Sequence, residues 1–251
     1  PSARRGVARL RDGIRQQTIP FWMLLGGACG ALTVSTQGLT AGVLGVSLFT
    51  VGVVAGQTVH GLVLDRIGFG PAGVVAVTPG RVLGGLLALA AVGISLSGDV
   101  LASAPLWMLL LPFAAGVGIA WQAATNGRLA QRARSPLAAT LMSFIAGTVV
   151  LALASGVSIA FRGAPAALPG EPWLYLGGFL GAAYILLGTF IVAQTGVLLM
   201  GLGSVLGQLV TSVVIDLLWP PAAGPALWQV LAMVVVAVGS VVVAVPWRRR
   251  R

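Results

Sequence analysis

The sequence predicts an all-α integral membrane protein in which eight transmembrane helices form an inverted repeat. Hydrophobic residues make up 57% of the 251-residue chain and charged residues only 8%, which is about a third of the charged share of an average soluble domain. Apolar runs long enough to cross a bilayer recur along the whole chain. Two of these regions, 22–65 and 173–216, carry closely similar sequences.

Eight apolar stretches approach or reach the roughly 20 residues that a membrane helix needs. They are 21–43, 46–65, 80–98, 106–125, 137–160, 173–194, 197–218 and 227–246. Their length and their lack of period-two alternation argue against strands. Glycine or proline marks the breaks between them, at Val43-Leu44-Gly45, Gly70-Pro71, Ser135-Pro136, Gln194-Thr195-Gly196 and Trp219-Pro220-Pro221.

A constant offset of 151 positions aligns residues 22–65 with 173–216 without a gap. Identical pairs include Trp22/Trp173, Gly45/Gly196, Gly56/Gly207, Gln57/Gln208 and Asp65/Asp216. An apolar composition alone does not explain why Trp, Gly, Gln and Asp match in one register. Duplicated membrane segments are typical of transporters that are built from two related halves.

The arginines predict how the chain crosses the membrane. All fifteen basic residues are arginines. If eight helices cross and the N-terminus is cytoplasmic, fourteen arginines lie in cytoplasmic segments and only Arg162 lies outside. This bias follows the positive-inside rule and predicts that both termini are cytoplasmic. The helix near Trp22 then starts inside and its equivalent near Trp173 starts outside, so the two copies are inverted.

The two predicted repeats are unequal in size. Residues 1–98 hold three helices of an incomplete first repeat, and residues 99–251 hold the five helices of a complete second repeat. At the offset of the repeat, residues 1–20 correspond to a connection after the second helix. We expect that the first two helices are missing by truncation, because Pro1 is not a translated start; a natural eight-helix protein is the alternative.

Three segments and several single positions carry a resemblance to a known family. They are Gln122-Ala-Ala-Thr-Asn126-Gly-Arg128-Leu129, Ser135-Pro136-Leu-Ala-Ala and Ser143-Phe144-Ile-Ala-Gly147-Thr148, with Trp173, Gly177-Gly178, Gly181 and Gly207-Gln208. In these residues the chain resembles the YdcZ-like branch of the drug/metabolite transporter superfamily, in a fused two-repeat form that lacks its first two helices. The resemblance implies a helical transporter of the bacterial inner membrane, and it implies no particular substrate.

Polar residues within the spans are the candidates for a solute site, because an unpaired polar group is costly in lipid. Gln57 and Gln208 are repeat equivalents near the middle of their spans. They predict either a shared midplane site or an amide bond that joins the two halves. Gln122 and Asn126 share a helix face; they either line a solute path, or bond neighbouring backbone or cap the helix before Arg128. Tyr184, at mid-helix, is a further candidate for the cavity.

Two residues are candidates for proton coupling. His60 is the only histidine and titrates near neutrality, although its repeat equivalent is Thr211 and a packing role is the alternative. Asp216 lies near a helix end without an adjacent base. Asp65, its repeat equivalent, is instead expected to pair with the neighbouring Arg66.

Catalysis and cofactor binding are not expected. No His, Cys, Asp and Glu set has metal-ligand spacing, and the chain has no lysine for a phosphate-binding loop. The sequence therefore predicts no enzyme, no metal and no cofactor, and the placement of the arginines argues against nucleic acid as a partner. The predicted partners are the lipid bilayer and a small-molecule solute, and a homo-oligomer stays open.

These observations predict a secondary transporter of a small neutral, amphipathic or cationic metabolite or drug-like solute. It would work by alternating access at a midplane site between the repeats. A non-transporting membrane scaffold or partner subunit is the alternative. The arrangement of Gln57, Gln208, Gln122 and Tyr184 distinguishes the two, since these residues either converge on one cavity or bond one another in a dry core.

Overall fold

The computed structural model describes residues 2–95, 110–164, 170–218, 234, 235 and 238, and these form helices and connections without strands. The helices are α1 (Ser2–Arg15), α2 (Gly26–Arg66), α3 (Pro79–Ser95), α4 (Leu110–Ala133), α5 (Pro136–Arg162), α6 (Leu176–Thr195) and α7 (Val197–Leu218). Short 3₁₀ helices at Phe21–Leu25 and Pro172–Tyr175 precede α2 and α6, at equivalent positions of the repeat. The break at 219–221 and almost all of span 227–246 lie outside the described residues.

Helices α5 and α6 are long and apolar enough to cross a bilayer, and Val197–Gln208 is a shorter apolar helical stretch. Bulky side chains of these helices point outward: Val149, Leu153 and Phe161 of α5 and Phe179 of α6 are exposed. In a soluble protein such an apolar surface would face the core. The total of eight spans stays a prediction.

The helical segment α2 folds back on itself. A straight helix of its 41 residues would be about 60 Å long. Trp22 and Phe69, which flank α2 at its two ends, nevertheless have ring centroids only 5.2 Å apart. The midpoint between them along the chain falls at Gly45 and Val46. The predicted non-helical break at 43–45 is wrong, because the helical backbone is continuous there, but the chain does reverse its direction.

The two halves of α2, here the first arm (26–40) and the second arm (49–66), run in opposite directions along α4. The facing pairs are Gly26–Asn126 and Gly30–Gln122 for the first arm, and Gly52–Pro112 and Gly56–Val117 for the second arm. The first arm is therefore antiparallel to α4, and the second arm is parallel to it. Together the arms form a helical hairpin whose two ends meet at the C-terminal end of α4.

Helices α6 and α7 form a second hairpin, which reverses at Gly196 as the sequence predicts. Gly196 has a φ of 80°, a conformation that glycine adopts without strain. The reversal lies beside Asp65, at the C-terminal end of the second arm. Helix α6 therefore runs antiparallel to the first arm, and α7 runs antiparallel to the second. Each helix of this hairpin is thus opposite in direction to its repeat equivalent.

Glycines make the closest contacts between the first hairpin and helices α4 and α5. A β-carbon on Gly27 would collide with the Ser143 carbonyl oxygen and would lie 2.9 Å from the Gly147 nitrogen. On the other arm, a β-carbon on Gly56 would lie 2.9 Å from the Val117 nitrogen. Such backbone-to-backbone approach is typical of helix packing in membranes.

Helix α1 occupies a segment that the sequence analysis treats as a connection. Gly6, Leu10 and Gly13 are buried at helical spacing, and Leu10 packs into a cluster with Leu129 and Ala138. The arginines of α1 are exposed. The three- and four-residue spacing of its buried positions could have predicted this helix, although the dominant signal of the segment is its charge.

Candidate functional site

A cavity of about 1150 Å³ lies between the first hairpin and helices α6 and α7. Ile119 of α4 also contributes to its wall. Its polar lining residues are Thr33, Gln37, Thr50, Gln57, Tyr184, Thr195, Ser204, Gln208 and Thr211. The remaining lining side chains are apolar, and no charged side chain is present among the lining residues that the structure describes. The cavity therefore offers hydroxyls and amides within an apolar wall.

Gln57, Gln208 and Tyr184 line this one cavity. Gln57 is only 7% exposed, and its Nε2 atom is buried without a hydrogen-bond partner in the described part of the chain. The amide lies against α7 at Gly201, where a β-carbon would be 2.9 Å from Nε2. Gln208 lies on the exposed side of α7, within the lining.

Tyr184 links the two helices of the second hairpin. Its hydroxyl donates a hydrogen bond to Ser204 Oγ at 3.2 Å, and Ser204 Oγ donates to the Met200 carbonyl at 3.0 Å. The ring of Tyr184 therefore stands in the cavity wall while its hydroxyl is held by the neighbouring helix. This position fits a side chain that shapes the cavity.

Gln122 and Asn126 do not line the larger cavity. Their amide nitrogens both donate to Ser143 Oγ, at 3.1 and 3.2 Å, and so fasten α4 to α5. Both residues line a separate pocket of only about 20 Å³, which Tyr184 also borders. The structure thus brings three of the five predicted solute-site residues together and gives the other two a helix-packing contact.

The two proton-coupling candidates differ in their position relative to the cavity. His60 is half-buried on the second arm, outside the residues that line the cavity. Asp216 belongs to α7, a helix that lines the cavity, and its side chain is not among those described. Within the described ranges, no group of three or more His, Cys, Asp and Glu side chains lies close enough together to hold a metal ion.

Asp65 forms a buried cluster that the sequence analysis missed. Its carboxylate pairs with Arg81 at 3.3 Å, with the two side chains 2% and 8% exposed. The same carboxylate accepts hydrogen bonds from the backbone N–H groups of Val197 and Leu198. The expected pair with Arg66 is wrong, because Arg66 is exposed and Asp65 is satisfied by α3 and α7. No local signal indicates a contact over more than a hundred residues.

The cluster lies at one end of the cavity. Arg81 Nη2 donates to the carbonyl of Thr195 at 3.4 Å, and Thr195 is also a lining residue. Basic residues gather at this end: Arg128 donates to the Gly68 carbonyl at 2.8 Å, and Arg132 donates to the Thr18 carbonyl. Arg162, at the far end of α5, lies at the opposite end of the bundle.

One family model covers most of this chain. It is described as "Putative inner membrane exporter, YdcZ" and matches residues 6–94 and 107–242. No curated protein and no solved structure matches the chain. A transporter of this kind works in a lipid bilayer on a small-molecule solute. The chain therefore belongs to the YdcZ family of drug/metabolite transporters of the inner membrane.

Proposed function

We propose that the protein is a secondary transporter that moves a small neutral, amphipathic or cationic solute through the cavity between its two hairpins. The observation that carries this proposal is that Gln57 and Gln208, which are equivalent in the repeat, line the same cavity. A scaffold whose amides only join helices needs no cavity of about 1150 Å³ between them. The amides of Gln122 and Asn126 do join helices, as the scaffold alternative expects, but they join only α4 to α5.

An inverted repeat provides the framework for this function. Two features support it. The helices of the second hairpin run opposite to their equivalents in the first, and the family model matches two segments separated by residues 95–106. That separation surrounds the proposed boundary between the domains 1–98 and 99–251. Inverted repeats carry a solute site at their interface, near the middle of the membrane, and this cavity lies at the interface between the hairpins.

This geometry supports a mechanism of alternating access. In the structure, the Asp65–Arg81 cluster ties the second arm, α3 and the start of α7 together at one end of the cavity. Because arginines gather at that end, we place it, with the start of the chain, in the cytoplasm. Opening requires the two hairpins to rock apart at this cluster. Gly45, the repeat equivalent of Gly196, and Asp216, the repeat equivalent of Asp65, belong to the opposite end of the cavity.

The test is transport by the purified protein in proteoliposomes, with a panel of neutral and cationic aromatic compounds as probes. Gln57→Leu and Gln208→Leu are compared with the unaltered protein in solute flux and in melting temperature. If the amides serve the solute, flux falls while the melting temperature changes little. If they only join helices, flux stays normal and stability falls by about 0.6 kcal/mol per lost hydrogen bond, and the scaffold becomes the better description.

A further inference from the structure

We infer that the cavity selects uncharged solutes that carry a hydrogen-bond acceptor oxygen, and that Gln57 Nε2 is the donor that binds this oxygen. The inference rests on the proposed function of the cavity as a solute site. It narrows the proposed substrate class, because cationic solutes should bind more weakly than uncharged ones.

The first argument is the state of the Gln57 amide. Its Nε2 atom is buried and has no partner among the described residues, on a side chain that is nine-tenths buried and lines the cavity. Buried donors are nearly always hydrogen-bonded, because an unpaired one keeps its full desolvation penalty. A solute oxygen that reaches Nε2 removes this penalty, and an apolar solute of the same shape does not.

The backbone around Gln57 holds the amide in place. A β-carbon on Gly201 would lie 2.9 Å from Nε2, and one on Gly116 would lie 2.8 Å from the Gln57 backbone nitrogen. Glycine at both positions lets α4 and α7 close on the second arm from two sides. Backbone at Gly201 therefore lies against the amide, and backbone at Gly116 lies against the main chain of Gln57, which together favour a fixed direction for the hydrogen bond.

The second argument is the charge of the lining. The described lining residues offer hydroxyls, amides and apolar groups, without a carboxylate or a guanidinium. Of the carboxylates that the structure describes, Asp65 is bound by Arg81, and Asp12 and Glu171 are exposed. A cation would find no counter-ion among these described residues, and losing its hydration without one is costly at membrane depth. An anion would meet the same obstacle.

The apolar part of the wall gives the solute its second property. Phe49, Val53, Leu187, Leu199 and Met200 face the same space as the Gln57 amide. A solute with one polar end and an aromatic or aliphatic body therefore matches the cavity. A small aryl amide has this combination of a carbonyl oxygen, no charge and an apolar ring.

Three probes of nearly equal size test the inference: phenylacetamide, phenethylammonium and phenylacetate. Binding to the purified full chain in nanodiscs is measured by equilibrium titration at constant salt. We expect the amide to bind at least about tenfold more tightly than either charged probe. Gln57→Leu weakens amide binding about tenfold, a loss of 1.4 kcal/mol by the standard conversion, and Gln57→Glu reverses the preference in favour of the ammonium probe.

Two further variants control the experiment. Gln194→Leu removes an exposed amide of α6 outside the cavity lining and leaves amide binding unchanged. Gly201→Ala displaces the Gln57 amide without removing it, and it must weaken the amide probe as Gln57→Leu does. The melting temperature of every variant is recorded. If Gln57→Leu does not fold, Gly201→Ala and Gln57→Glu carry the test.

The outcomes separate this inference from the proposed function. The inference is overturned, even if transport occurs, if the unaltered protein binds the ammonium probe more tightly than the amide. It is also overturned if neither Gln57→Leu nor Gly201→Ala changes the affinity for the amide probe. Amide binding that depends on Gln57, together with an absence of flux for every probe in proteoliposomes, leaves the binding site standing and overturns the proposed transport.

Discussion

Asp65 caps helix α7 by accepting a hydrogen bond from the backbone N–H of Val197 at 2.8 Å. The second carboxylate oxygen accepts from Leu198 at 3.2 Å. A carboxylate at a helix N-terminus satisfies orphan N–H groups and interacts favourably with the helix dipole. Here the capping residue belongs to the other hairpin, so the contact that completes α7 also joins the two halves of the described bundle.

Replacing Asp65 by Asn should destabilise the protein strongly. The change removes the charge that caps α7 and leaves the buried Arg81 guanidinium without its ion-pair partner. Loss of one member of a buried pair costs about 3–5 kcal/mol. We expect a clear fall in the melting temperature of the protein in detergent. Arg66→Gln, at the adjacent exposed position, is the control and should melt like the unaltered protein. If Asp65→Asn also melts like the unaltered protein, the Asp65–Arg81 cluster contributes little stability.

Gly196→Ala should be more damaging than Gly163→Ala. Both glycines follow a helix and have similar backbone conformations, with φ of 80° and 82°, so alanine strains both by about 1–3 kcal/mol. A β-carbon at position 196 would also lie 2.9 Å from Asp65 Oδ2, whereas position 163 has open space among the described residues. Melting temperatures of the two variants measure the difference. A larger fall for Gly163→Ala would show that the Asp65 contact contributes little.

Equivalent glycines of the two hairpins should respond differently to alanine. Gly27→Ala forces a β-carbon against the backbone of Ser143, and overpacking of this kind costs about 1–3 kcal/mol. Gly178, its repeat equivalent, has no described atom within 4 Å of its β-carbon position, so Gly178→Ala should be tolerated. Thermal unfolding of both variants in the same detergent decides the matter. Equal destabilisation would mean that the two hairpins have equivalent packing partners.

Cysteine labelling can test the orientation of the bundle. The chain has one cysteine, Cys29, which Cys29→Ala removes. In that background, Arg134→Cys and Arg162→Cys place single thiols at opposite ends of α5 and its preceding turn. We expect a membrane-impermeant maleimide, applied to intact cells, to label Arg162→Cys and to spare Arg134→Cys until the cells are opened. The reverse pattern would contradict the cytoplasmic placement of the chain's start.

Asp216 should matter for coupling more than His60 does. Asp216 belongs to a cavity-lining helix, while His60 lies outside the lining residues. If Asp216 carries the coupling proton, Asp216→Asn uncouples flux from an imposed pH gradient, and His60→Gln leaves the response intact. Flux is measured in proteoliposomes with and without the gradient. An unchanged gradient response in Asp216→Asn would remove this residue from the mechanism.

The sequence predicts the local features of this protein well. The breaks at 135–136 and 194–196 coincide with the ends of described helices, and the break at 70–71 lies in the connection between α2 and α3. The match of Gly45 to Gly196 also locates the reversal within α2, although the helical backbone continues through it. Such features are readable because they depend on neighbouring residues: glycine permits a turn, proline stops a helix, and apolar length is set by the bilayer.

Side-chain pairing between distant residues could not be predicted from the sequence in the same way. Asp65 was expected to bind Arg66, its neighbour, and instead binds Arg81 and α7. Gln122 and Asn126 carry the family resemblance, yet their amides meet on Ser143, while Gln57 Nε2 has no partner among the described residues.

The sequence by itself determined the fold class, the family and the existence of two equivalent hairpins, because apolar length, turn residues and internal similarity are written along the chain. Only the tertiary structure decided which polar groups meet. One turn of difference in helix register changes every partner of a buried amide, and that register is set by backbone contacts at glycines such as Gly27, Gly56 and Gly116. These contacts join segments far apart in the chain, so no local pattern records them.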